Sequence, residues 1–186
     1  MVNNTESTQV VTKPLNEEIV QPSLKRWLKH LFFLPASKRF FSVQDQQAIA
    51  EAVTQAEQGH IGEIQVVIEA YIPASNAYYQ DTFLRAKQLF SELGVWDTEL
   101  NSGILLYISL CEKKVEILVD RGIKTATSNE LWQKVCENIV NLMMQKQYRD
   151  AVLHGVGEIG DILNKYYDNQ QKMGENELTN YPIILG

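Results

Sequence analysis

The chain is expected to fold as an α/β protein, a three-layer α/β/α sandwich whose small mixed β-sheet is flanked by about four helices. Three observations predict this. The run Ile104-Leu105-Leu106-Tyr107-Ile108 is apolar at every position, the pattern of a strand covered on both faces. Upstream, Glu63-Ile64-Gln65-Val66-Val67-Ile68-Glu69 alternates and is rich in β-branched residues. A helical stretch separates these two strands, which makes them parallel with a right-handed crossover. Downstream, Val115-Glu116-Ile117-Leu118-Val119-Asp120 follows a hairpin-length loop at Cys111-Glu112-Lys113-Lys114 and runs antiparallel to the central strand.

The remaining elements follow in order. Residues 1–23 are polar and interrupted by Pro14 and Pro22, which predicts a disordered N-terminal arm. Over residues 24–35, Trp27, Leu28, Leu31 and Leu34 recur at helical spacing with Lys25, Arg26 and Lys29 opposite, a short amphipathic helix that ends before Pro35. Such a helix either packs on the domain or forms a basic foot on an anionic membrane surface or in a partner groove. The domain proper is expected over residues 38–167.

Ser42 reads as an N-cap answered by Asp45, opening a helix to about Gln58 with Ile49, Val53 and Ala56 inward and Gly59 closing it. Tyr79, Phe83, Ala86, Phe90 and Leu93 form one stripe, predicting a helix from Ala77 to Leu93. A third runs from Glu130 to about Gln145 on Leu131, Val135, Ile139 and Leu142, and a fourth from Tyr148 to about Tyr167. Gly155, Gly157 and Gly160 lie inside the last, each costing about 1 kcal/mol relative to alanine, so close packing against a neighbour is expected there. Residues 168–186 read as a flexible tail, although Tyr181-Pro182-Ile183-Ile184-Leu185 could tuck onto a surface or a neighbouring chain.

Composition narrows the function classes. With 45% apolar and 22% charged residues the chain can build one domain core, and its net charge of −6 argues against nucleic acid, whose phosphates demand a clustered excess of Lys and Arg. No window approaches the ~20 apolar residues of a membrane span, and residues 1–23 lack the basic and apolar regions of a signal peptide. Cys111 and Cys136 lack CxxC spacing and read as reduced thiols; a nucleophilic Cys111 has only Lys113 and Lys114 as a faint hint. His30, His60 and His154 fall in separate elements, against a zinc site. Neither GxSxG nor a Walker loop occurs, and no organic cofactor is expected. The expectation is a cytoplasmic protein with an unidentified protein partner. If it is peripheral to the inner membrane, the contact falls at Trp27, Leu28, Leu31 and Leu34.

The predicted topology brings the starts of the first two strands and the end of the third to one rim. That rim carries His60 and Glu63; Asp97, Glu99 and Asn101; and Asp120 and Arg121. Converging carboxylates and a carboxamide offer the oxygen ligands of a hard divalent cation. Such a cation, Ca2+ or Mg2+, polarises a phosphoryl oxygen while an arginine holds another. In that reading Asp97 and Asp120 ligate the metal, Asn101 and Glu63 complete the shell, and Arg121 binds phosphate. The same residues also suit turns and caps: Asp97 an Asx-turn or N-cap, Asn101-Ser102-Gly103 a turn, Asp120 a partner of Arg121, and His60 the carbonyls of the helix that Gly59 ends. A non-enzymatic assembly module near membrane-protein complexes is the alternative, using the Trp27 helix and the rim as docking surfaces.

His60-Ile61-Gly62-Glu63-Ile64, Leu93-Gly94-Val95-Trp96-Asp97-Thr98, Asn101-Ser102-Gly103-Ile104-Leu105 and Val115-Glu116-Ile117 leading into Asp120-Arg121-Gly122-Ile123 resemble the TPM-domain family, in particular its short bacterial branch. The resemblance spans roughly Trp27 to Tyr167 and implies an α/β/α sandwich. In plant thylakoid relatives it implies weak acid-phosphatase activity and a role in photosystem repair, and in some relatives a calcium site among acidic residues. Carried over by position, Asp97, Asn101 and Asp120 are the residues concerned, with Glu63 beside them. Ser102 stands where a second Asn is common, and no signal peptide or trailing membrane helix is read, so the envelope role of longer members is not expected.

Overall fold

The computed structural model describes residues 8–10, 20–33, 40–124, 127–167 and 176–186. Its elements are β1 (Thr8–Val10), α1 (Leu24–Leu31), α2 (Val43–Ala56), β2 (Glu63–Glu69), α3 (Ala74–Ala77), α4 (Thr82–Glu92), β3 (Gly103–Ser109), β4 (Lys114–Asp120), α5 (Arg121–Lys124), α6 (Asn129–Met144), α7 (Tyr148–Tyr167) and β5 (Ile183–Leu185). The strands form one mixed sheet in the order β1-β4-β3-β2-β5. β2 and β3 pair in parallel, from Glu63 with Gly103 to Glu69 with Ser109, because α3 and α4 lie between them. β3 and β4 form the expected antiparallel hairpin.

Alternation along these strands separates two cores. Ile64, Val66, Ile68, Ile104, Leu106, Ile108 and Ile117 face α2, α6 and α7 in the larger one. Val67, Leu105, Tyr107 and Leu118 face Ala86, Leu89 and Phe90 of α4 in the smaller. The result is three layers, with three long helices on one face and one on the other. Gly155 and Gly160 let α7 approach Ile139 and Ala56 closer than a β-carbon permits, whereas Gly157 meets open space.

The single-helix face takes the polar members of the strands. Glu63, Gln65, Glu69, Glu116 and Asp120 are all buried there. Each needs partners, since a buried polar group without them is costly. Thr82 Oγ1 donates to Glu116 at 2.6 Å. Arg85, from the next turn of α4, forks onto Glu69 at 2.7 and 3.0 Å, and the Tyr107 hydroxyl donates to the same carboxylate at 2.7 Å.

The helix expected from Ala77 begins instead at Thr82. Asp81 caps α4 by accepting from the Leu84 N–H at 2.9 Å, and this local cap outweighs the aromatic periodicity. Tyr79 is therefore exposed outside the helix. Ser42 and Asp45 form the full reciprocal capping box at the start of α2.

Of the expected N-terminal arm, Thr8–Val10 pairs antiparallel with β4, while residues 1–7 and 11–19 lie outside the described residues. The expected tail likewise lies outside them from 168 to 175. Its end, Ile183–Leu185, adds to the sheet beside β2, with the Ala70 N–H donating to Leu185 O at 2.9 Å. An apolar triplet next to an open strand edge completes its backbone hydrogen bonds in that way.

Helix α1 sits on the segment around α3 through polar contacts. Arg26 Nε donates to Ala77 O at 2.7 Å and Nη2 to Tyr78 O at 2.9 Å. Opposite these, Leu24, Leu28, Leu31 and Phe32 are exposed, while Trp27 is half-buried and Leu34 lies outside the described residues. No helix among the described residues is long and apolar enough to cross a membrane.

Candidate functional site

The three segments expected to meet at one rim do so through backbone. The loop after α4 is pinned by the Asp97 N–H to Gly94 O at 2.9 Å, the Asn101 N–H to Thr98 O at 3.0 Å and the Ser102 N–H to Thr98 Oγ1 at 2.8 Å. Asn101 adopts φ +52°, a left-handed conformation that asparagine tolerates. From this loop Ser102 O accepts from the Glu63 N–H at 3.1 Å, and Asn101 O accepts from the Gly122 N–H at 3.0 Å. A β-carbon on Gly122 would lie 2.5 Å from Asn101 O, so glycine is what lets α5 press against the loop.

Asp120, the last residue of β4, is only 1% exposed. Its Oδ1 accepts from the Arg121 N–H at 2.6 Å, while Oδ2 is buried without a hydrogen-bond partner. Burial pushes this carboxyl above the ordinary aspartate range, against the opposing pull of the Arg121 amide and charge. Arg121, exposed on α5, donates from Nε to Asn101 Oδ1 at 3.0 Å. Asp97 and Glu99 are exposed on the loop. The structure thus joins Asn101, Asp120 and Arg121 directly and places Asp97 on the same loop as Asn101.

His60 and Glu63 are engaged elsewhere. His60 Nδ1 accepts from the Gly62 N–H at 3.1 Å, which leaves the proton on Nε2, and Nε2 donates to Ala56 O at 2.6 Å. Both ring nitrogens close the end of α2. The Glu63 carboxylate accepts from the Glu177 N–H at 3.0 Å and the Leu178 N–H at 2.7 Å. Glu177 in turn accepts from the Glu99 N–H at 3.0 Å. Glu177 is thus a carboxylate at the rim that sequence reasoning missed; it sits in a polar tail with no periodicity to signal its position.

Among the described residues, the one set of three His, Cys, Asp or Glu ligand atoms within 4.8 Å of one another is His30, Cys111 and Glu112, so Glu63, Asp97 and Asp120 do not converge as a trio. The His30 set is built as a structural joint. His30 Nδ1 accepts from the Ile72 N–H at 3.0 Å, so its proton sits on Nε2, which lies 3.1 Å from Glu112. Burial pushes the Cys111 thiol up to about 11, so it is neither a ready ligand nor a nucleophile. His30 first, then Lys29 at 3.0 Å, hold the Glu112 carboxyl down at about 2, from an ordinary 4.5. A depressed carboxyl stabilises the fold above its unfolded value, and that stability is lost as pH falls through the folded value. Glu112→Gln is therefore expected to cost about 1–2 kcal/mol at pH 7. In urea denaturation the difference from wild type should close as pH drops from 4.5 towards 2.

A mixed sheet between unequal helical layers, with a rim built from the α–β loop of the crossover and a strand end, defines an α/β sandwich of a known kind. A family model described as the TPM domain matches residues 36–162, and the chain belongs to that family. Among solved structures, it is similar to the BA42 protein from the psychrophilic bacterium Bizionia argentinensis, at 28% identity and TM-score 0.68, over 78% of this chain and 95% of that one. It shares its fold with the N-terminal domain of a protein from P. gingivalis, at 15% identity and TM-score 0.57, over 73% and 83% of the two chains. No curated protein matches it.

Proposed function

We propose that the rim binds a divalent cation, Ca2+ or Mg2+, anchored on Asp120, and that phosphomonoester hydrolysis is the chemistry it supports. One observation carries the reading: a carboxylate oxygen, Asp120 Oδ2, buried without a hydrogen-bond partner while its sister oxygen is held by a backbone amide. An orphaned buried oxygen costs about 1–3 kcal/mol, and a cation is the partner that recovers it. Asp120 and Asp97 would hold the ion, with Asn101 orienting Arg121 through the 3.0 Å bond to Nε. Glu63 and His60 stand outside the shell, because their polar atoms are already engaged. When bound, the cation supplies positive charge against a phosphoryl oxygen. Arg121, exposed beside it, binds the remaining phosphate oxygens.

The test is calorimetric titration of chelator-treated protein with Ca2+, Mg2+ and Mn2+, alongside turnover of p-nitrophenyl phosphate. Micromolar binding abolished by Asp120→Asn and Asp97→Asn, with turnover lost in Arg121→Ala, is the expected outcome. Binding without turnover removes the phosphatase chemistry; absence of binding at millimolar ion removes the cation site. The apo protein offers a second check. A carboxyl raised by burial is least comfortable when ionised, so its cost is present above its folded pKa and relieved below it. Asp120→Asn is expected to stabilise the ion-free chain at pH 7 by about 1 kcal/mol, and to abolish any rise in Tm on adding cation.

A further inference from the structure

We propose that α1 and the cleft beside it dock the protein on an anionic phospholipid surface, a function independent of the rim. The helix is turned inside out. The face that carries Arg26 and His30 is held to the domain, by Arg26 on Ala77 O and Tyr78 O and by His30 on the Ile72 N–H. Its apolar face is left outward: Leu24 is 60% exposed, Leu31 46% and Phe32, the C-cap residue, 73%. At about 100° per residue, Leu24, Leu28 and Leu31 fall on one narrow stripe, with Lys25 and Lys29 on the flank next to it. A helix attached only by burying apolar area would face the other way.

The lysine flank borders a cleft of about 400 Å3 between α1, the start of α4 and the β3–β4 hairpin. Lys25, Arg26, Lys29 and Lys114 line it, against the carboxylates of Asp81 and Glu112. This net positive end belongs to a chain of net charge −6. Apolar side chains beside lysines match a bilayer whose headgroups are anionic and whose acyl region lies just beneath. A second copy fits poorly, since a two-fold interface through α1 would set the same cations against each other. In the docked arrangement Leu24, Leu28, Leu31 and Phe32 enter the headgroup–acyl boundary, and Lys25 and Lys114 meet lipid phosphate.

The test is co-sedimentation of the full chain with vesicles of phosphatidylcholine alone and with 30% phosphatidylglycerol. The variants are Leu28→Gln/Leu31→Gln and Lys25→Gln/Lys114→Gln, all at exposed positions, with circular dichroism as the folding control. Binding to the anionic vesicles at least tenfold tighter than to neutral ones is expected, with at least a fivefold loss in each double variant and weakening in 0.5 M salt. Retention of binding by the leucine variant would overturn insertion of the stripe. Failure to bind anionic vesicles would overturn the proposal. So would competition by millimolar inorganic phosphate that fully releases the protein, which would make the cleft a free-phosphate site, or self-association lost only in the leucine variant, which would assign the stripe to a second copy.

Discussion

Arg85→Ala is expected to destabilise the fold by about 3–5 kcal/mol, the cost of leaving one member of a buried ion pair alone. Glu69 is 1% exposed at the end of β2 and depends on Arg85 for its fork of hydrogen bonds, at 2.7 Å from Nη2 and 3.0 Å from Nε. Its further partner is the Tyr107 hydroxyl, whose ionisation is pushed far above the ordinary phenol range by burial first and by the Glu69 charge second. Pairing with Glu69 in turn keeps the Arg85 guanidinium charged against the opposing effect of burial. On this face of the sheet, which one long helix covers, the Glu69 carboxylate takes its cationic partner from α4. Replacing both members should therefore cost less than replacing one. Urea denaturation of Arg85→Ala, Glu69→Gln and Arg85→Met/Glu69→Met is the measurement. A loss below about 1 kcal/mol in Arg85→Ala would mean that the pair is solvated and contributes as a surface pair does.

The same contrast explains what could be read from the sequence. β2, β3 and β4 were legible because strand register is set by alternation, and a slip by one residue would turn Ile64, Val66 and Ile68 out of the larger core. The start of α2 was legible because Ser42 and Asp45 satisfy each other within one turn. The start of α4 was not, since the stripe that includes Tyr79 mimics a helix that Asp81 caps only from Thr82. At the rim, the meeting of loop 94–102 with Asp120 and Arg121 followed from topology. The side-chain roles did not, because the partners of Glu63 come from Glu177 and Leu178, which no periodicity connects to β2. For α1 the stripe was visible, but its direction was decided by Arg26 reaching carbonyls 51 and 52 residues away.

Glu63→Ala is expected to cost about 3 kcal/mol, because it deprives two backbone N–H groups of a charged acceptor, each bond being worth about 1.5–3 kcal/mol. The Leu178 amide is the more exposed to this loss, since its residue is buried in the smaller core. These bonds help hold the segment that leads into β5, so amide exchange should accelerate first at Ile183–Leu185, where the segment pairs at a sheet edge. Glu63→Gln keeps one acceptor oxygen and should recover roughly half of the loss. Affinity for a divalent cation should be unchanged in both variants, since Asp120 Oδ2 is untouched. A Glu63→Gln protein that melts like wild type but no longer binds cation would reverse this assignment. It would mean that the carboxylate leaves Glu177 and Leu178 to join the ion and that the C-terminal strand is held by other contacts.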